Sequence, residues 1–192
     1  MELGESEYSE SKFDNLNLSN LNECEREFAD CIFSTCNFEN ANLTKNRFEN
    51  CSFESCNITN TVIKGARFVD CSFVNCKLVG LNFGNCDQMD FTVRIEKSTL
   101  NICNFSELSM KKSKFSECII KECYFQNTYL VQADFSGSEF RDTMFSNSNL
   151  EKANFENAKE YNIDPIKNKV SKAIFSIPEV LNLLNGFNIV IK

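Results

Sequence analysis

Large apolar residues recur along this chain at every fifth position. That spacing matches neither the 3.6-residue turn of a helix nor the two-residue pleat of a strand. Stepping by five from Phe13 to Phe83, and again from Ile95 to Phe155, visits 28 positions, and all but Glu23 are large and apolar. Two residues before each of these centres, Ala, Cys, Ser or Thr fills 21 of the 28 positions, Cys31, Cys51 and Cys71 among them. The other three residues of each five are mostly Asn, Asp, Glu, Ser, Thr and Lys. Small-in, polar-out, large-in is a three-residue strand of period 2, and the two residues that follow must turn the chain. So short a strand cannot bury its apolar side alone. Copies of it must stack into one continuous core, which predicts a solenoid.

The units "ANLTK" (41–45), "ADFSG" (133–137) and "ANFEN" (153–157) follow the pattern A(D/N)LXX closely. Over about residues 11–160 the chain resembles the pentapeptide-repeat family. The resemblance implies an all-β solenoid, a right-handed quadrilateral β-helix with four pentapeptides in each 20-residue coil. With coils of that length, Phe33, Phe53 and Phe73 rise in a column from Phe13, and Phe105, Phe125 and Phe145 form another. Cys31, Cys51 and Cys71 then stack on one wall, and Cys36, Cys56 and Cys76 on the next. A buried free cysteine behaves as a small hydrophobe, and fits where the family usually places Ala. A metal site would need several thiolates converging at about 2.3 Å, usually from paired CxxC units. Thiols five apart, on different walls, favour core packing, and no metal or cofactor is expected.

The five-residue step slips in two places. Twelve residues separate Phe83 from Ile95, two more than the step allows, so "GNCDQMDFTVRI" (84–95) must hold a bulge, a loop or a junction. Phe91 there either tucks back into the core, or Asp87 and Asp90, flanking Met89, form a protruding acidic element that touches a partner. Near the start, Glu23 holds a centre position and Arg26 a small one. A buried lone charge is costly, so either the two pair or the coil opens outward. "KKSK" (111–114) falls on a corner, and no unbroken acidic stripe runs along a single wall.

Residues 1–10, acidic and polar, read as a flexible N-terminus, and 161–192 as a C-terminal cap. In "IFSIPEVLNLLNGFNIVIK" (174–192), Ser176 is placed as an N-cap and Pro178 near the first turn of an α-helix. Val180, Leu181 and Leu184 mark one helical face, Gly186 is the stop, and "FNIVIK" reads as a terminal strand. An open solenoid end exposes unpaired backbone and rings, so this segment caps it. It carries more apolar surface than a cap needs, and Leu183, Phe187, Ile189, Val190 and Ile191 are free to meet a second copy.

Charge and composition narrow the function classes. A net charge of −7 disfavours direct nucleic-acid binding, which needs Lys and Arg to displace counterions, and permits contact with a basic protein surface. Eleven cysteines without an export signal suit a reducing, cytoplasmic setting. No apolar run spans a membrane. The chain has no histidine, which removes the usual general base and metal ligand, so an enzyme is not expected. The layout and the "LLNGFNIVI" ending resemble the quinolone-resistance (Qnr-type) pentapeptide proteins. That resemblance implies a rod-shaped acidic homodimer that mimics DNA, joined tail to tail through Val180, Leu181, Leu184, Phe187, Ile189 and Ile191. It implies binding to the DNA saddle of DNA gyrase or topoisomerase IV and protection from quinolones. The alternative is a general pentapeptide-repeat scaffold for another partner.

Overall fold

Nearly every five-residue unit turns its corner by the same device. The last residue of the unit takes the left-handed backbone region, with φ running from +49° at Glu10 to +66° at Glu107 among the non-glycine corners. Asn and Asp recur there, as at Asn15, Asn20, Asp30, Asn40 and Asn50, because their short side chains tolerate that region. At Gly80 (φ +70°) a Cβ would stand 2.7 Å from Asn60 Oδ1, so only glycine fits under that neighbouring coil.

The computed structural model describes residues 4–187 and 189–190. The chain is a parallel β-solenoid of about eight turns with one short helix. On the first wall Tyr8, Phe28, Phe48 and Phe68 are successive register partners. The second wall stacks Phe13, Phe33, Phe53, Phe73, Ile95 and Phe115. The third stacks Ile58, Leu78, Leu100, Ile120 and Phe140. The fourth is thinner, held by bridges such as Asn22 to Asn42 and by the pair Phe125 and Phe145.

The core is a set of ring columns. Phe13, Phe33, Phe53 and Phe73 stack at centroid separations of 4.8, 4.8 and 4.7 Å. Phe105, Phe125 and Phe145 stack at 5.0 and 4.9 Å. Neighbouring columns meet edge to face, as Phe48 meets Phe53 at 5.4 Å and 68°, the geometry that the ring quadrupole favours. All six predicted core phenylalanines are 5 % exposed or less, and Cys31, Cys51 and Cys71 are 2 % or less. The small positions also share a hydrogen bond. Thr61 Oγ1 donates to the Phe38 carbonyl (2.7 Å), Ser148 Oγ to Phe125 (2.6 Å) and Cys71 Sγ to Phe48 (3.3 Å). Each carbonyl lies 23 residues back, in the coil beneath. Cys, Ser and Thr interchange there because each is compact and carries one donor.

Both ends of the stack extend beyond the predicted limits. Glu7–Ser9 is already a strand paired to Glu27–Ala29, so the ladder enters the stretch read as a flexible N-terminus. The reason is Tyr8, one step before Phe13, whose ring stacks on Phe28 at 5.4 Å. Past residue 160 the ladder continues, with Phe155 paired to Phe175 and Asn149 bridged to Lys169. Val170 and Phe175 lie on the five-residue step; only Glu160 and Pro165 interrupt it.

The final segment differs from its predicted form. Glu179–Phe187 is a 3-10 helix rather than an α-helix, with Leu181 N–H bonded to the Pro178 carbonyl at 3.0 Å. A segment this short has little helical stability of its own, so packing on the last coil, through the half-buried Leu183, sets its winding. Ser176 does not cap it: its hydroxyl accepts the Asn157 N–H at 2.9 Å, closing the coil below. Gly186 lies within the helix instead of beyond it. Ile189 and Val190 form no strand, since a strand needs a partner edge and they lie past the last coil. Ile191 lies outside the described residues.

Candidate partner interface

The slip between Phe83 and Ile95 resolves to one short stretch on the first wall. Asp87 still bridges Arg67, 20 residues back, whereas Val93 pairs with Cys71, 22 back. The two surplus residues therefore fall between Asp87 and Val93. Asp87 Oδ1 accepts the Met89 N–H at 3.0 Å, a side-chain turn that starts the bulge. Phe91 folds back inside: it is 6 % exposed and meets Phe68 and Phe83 edge on at 6.4 and 6.1 Å. Met89 faces outward at 62 % exposure. Asp90, at φ +56°, pairs through Oδ2 with Arg67 Nη2 at 3.0 Å. The result is a low protrusion, an apolar tip between two exposed carboxylates, anchored from below by one ring.

Below that bulge the first wall is acidic. Its corner column runs Glu10, Asp30, Asn50, Asp70 and Asp90, all exposed, with Asn50 the one neutral member. Asn50 Nδ2 donates to Asp30 Oδ1 at 2.6 Å. Glu7, Glu27 and Glu49 add to the same wall, offset by Arg47 and Arg67. Above the bulge the sign reverses. The corner and its neighbours carry Lys111, Lys112, Lys152, Lys169 and Lys172, all exposed, with Glu151 between them.

The first coil resolves its charged fault by pairing. Arg26 Nε meets Glu23 Oε2 at 2.6 Å, with Glu23 1 % exposed on the fourth-wall centre line. Arg26 Nη1 also donates to the Glu5 carbonyl, and the Arg26 N–H to Asn46 Oδ1 at 3.0 Å. At the other end, Leu181, Phe187 and Ile189 are 44, 47 and 56 % exposed, beside Ile177 at 87 %. Val180 and Leu184 are half-buried.

Most of the thiols are shut away in the core. Ten of the eleven are buried and Cys24 is half-buried. Burial pushes Cys51 and Cys71 up to about 12 and Cys118 to about 11, so they stay protonated and inert. Among the described residues no group of three or more Cys, Asp or Glu converges on a metal position. Among them too, no helix is long and apolar enough to cross a membrane.

Family models for this architecture match two long stretches. The pentapeptide repeat region model covers residues 26–101, and the eight-copy pentapeptide repeats model covers 118–157. The chain is a pentapeptide-repeat protein. Among solved structures, a trypsin-treated form of QnrB1, described as a plasmid-mediated fluoroquinolone resistance protein, aligns over 97 % of this chain and 90 % of its own. The two are 18 % identical, with a TM-score of 0.67. A second trypsin-treated form gives 0.68 at the same identity and coverage, and full-length QnrB1 gives 0.59 at 19 % identity over 95 % of this chain. No curated protein sequence matches.

In this pentapeptide-repeat protein Asp87 and Asp90 share one exposed bulge, while the tail residues gather at the far end of the rod. Sequence reasoning missed Arg67 as the partner of Asp90 and missed the two-sign first wall. The signal was present at the corner positions: Asp30, Asp70 and Asp90 in the first half, Lys112, Lys152 and Lys172 in the second. Only the 20-residue coil brings each set onto one edge.

Proposed function

We propose that this protein binds a type II topoisomerase, DNA gyrase or topoisomerase IV, as a tail-to-tail homodimer and shields it from quinolones. The observation that carries the reading is the bulge, where Met89 stands exposed between Asp87 and Asp90 at the head of an acidic wall. An acidic rod suits a basic, DNA-binding saddle, and an apolar tip adds contact that charge alone does not supply. Likeness in fold to a fluoroquinolone resistance protein over nearly the whole chain supports the same reading. Leu181, Phe187 and Ile189 supply the apolar surface for the tail contact.

Charge limits the mimicry. Two copies carry −14 (2 × −7), against about 40 charges on 70 Å of B-DNA. Shape and the bulge must therefore contribute, while charge steers the approach. The role is one of binding, without catalysis.

A gyrase supercoiling assay with ciprofloxacin tests the reading, with this protein titrated from below to above the enzyme concentration. Restored supercoiling at low protein, lost in Met89→Arg with Asp87→Asn and Asp90→Asn, is the expected result. Inhibition without rescue would leave binding and remove protection. No effect at any concentration would transfer the protein to the general scaffold class.

A further inference from the structure

The first wall is charged with opposite signs in its two halves, and that arrangement makes the wall complementary to itself. We infer that it is a lateral pairing surface for a second, antiparallel copy of this chain. This contact is distinct from the tail and stands whether or not a topoisomerase is the partner.

Two identical walls can face each other in two simple ways. If the rods run parallel, each coil meets its own copy, acid on acid and lysine on lysine, which is repulsive. If they run antiparallel about an axis lying across the wall, each column meets the same column with the coil order reversed. Placing that axis between the bulge and the next coil sets Asp90 opposite Lys112 and Asp70 opposite Gln132. It also sets Asn50 opposite Lys152, Asp30 opposite Lys172 and Glu27 opposite Lys169. Arg67 then lies over the exposed ring of Tyr129, 42 % accessible, a cation over an aromatic face. Val69 comes opposite Val131, which is only 9 % exposed, so the centre of the wall adds little apolar contact. Glu49 against Glu151 is the one like-charge pair, beside Lys152. The five lysines of the upper half make no ion pair among the described residues, so their charge is available to a second copy.

The size of the wall sets the strength. Eight overlapping coils about 4.8 Å apart, on a wall about 10 Å wide, give on the order of 400 Å² per copy, which belongs to the weak, transient class of interface. Association is therefore expected at high protein concentration and low salt. Raising the salt from about 20 to about 300 mM should weaken it at least tenfold, because the Debye length falls to a few ångströms.

Zero-length carbodiimide cross-linking of the full-length chain, read by mass spectrometry, tests the pairing. Within one rod Asp30 and Lys172 lie seven coils apart, about 34 Å, and a tail-to-tail contact leaves them apart. Links Asp30–Lys172 and Glu27–Lys169 at low salt, lost at high salt, are expected. K169E with K172E should lower the yield of those two wall links at least tenfold at an unchanged melting temperature, with any tail contact left in place. Mixing that variant with E27K and D30K chains should restore pairing only in the mixed species. Links confined to the tails, or no links, would overturn the proposal. So would charge-reversed chains whose wall links form as in the parent, or a lysine half that binds heparin while the wall never self-associates. The last result would assign the wall to an anionic partner.

Discussion

A corner residue here is selected for its backbone. Among the described residues twenty-eight non-glycine positions hold positive φ, and most are Asn, Asp, Glu, Lys or Gln, whose unbranched or locally hydrogen-bonding side chains bear it. Ile102 breaks that rule. It sits at φ +56° with a β-branched side chain that is 51 % exposed, so it keeps the strain and recovers little by burial. Ile102→Asn should stabilise the protein by about 1 kcal/mol, as the left-handed penalty of a β-branched residue is relieved. Urea unfolding measures it, and a lower midpoint would show that the exposed isoleucine contributes more by contact than it loses in strain. At the small positions a thiol, a hydroxyl or a methyl serves equally well. The first two can add a donor to the carbonyl beneath, which explains the ten buried cysteines as packing residues.

At the scale of the coil, the first turn shows what an interrupted pattern means. Glu23 occupies a centre position where most coils place Leu, Ile or Phe, and its carboxylate is held by Arg26 from a small position. Removing one partner leaves a buried charge, whereas replacing both restores the pattern. Arg26→Leu alone should cost about 3–5 kcal/mol, while Glu23→Leu with Arg26→Leu should be neutral or stabilising. Equal losses in the single and double variants, measured by chemical unfolding, would mean that the pair supports the coil by more than mutual neutralisation. The bulge shows the opposite case, an added element absorbed because one ring, Phe91, fills the column position that the detour leaves open.

For the whole molecule, function depends on how surfaces lie along a rod. The tail leaves Phe187 and Ile189 about half exposed, so the tail-to-tail dimer proposed above should be broken by a charge at an accessible position. Phe187→Asp is expected to halve the mass in sedimentation at physiological salt and to leave the melting temperature of the coils nearly unchanged. A dimer of full mass would move the principal contact away from the tail. The acidic wall, the bulge and the lysine half are each modest alone. Their order along one edge gives the rod a direction, which a featureless acidic rod would lack.

The five-residue period by itself determined the solenoid and its inward residues, and the four-unit coil implied by the family resemblance set the columns they form. Burial and turning act at fixed spacing within each unit, and no distant contact can override them. Tyr8, Val170 and Phe175 were equally legible on the same step, although a charged or proline centre hid the last coil. Only the tertiary structure decided where the two surplus residues go, that Glu23 and Arg26 pair, and that the tail winds as a 3-10 helix. The bulge and the tail depend on which neighbour is within reach, and stacked neighbours in this fold lie one coil, some 20 residues, apart; Glu23 and Arg26, three residues apart, pair because the coil closes over them. The charge reversal along the first wall has the same origin: its members are scattered through the chain, and only the closed coil sets them side by side.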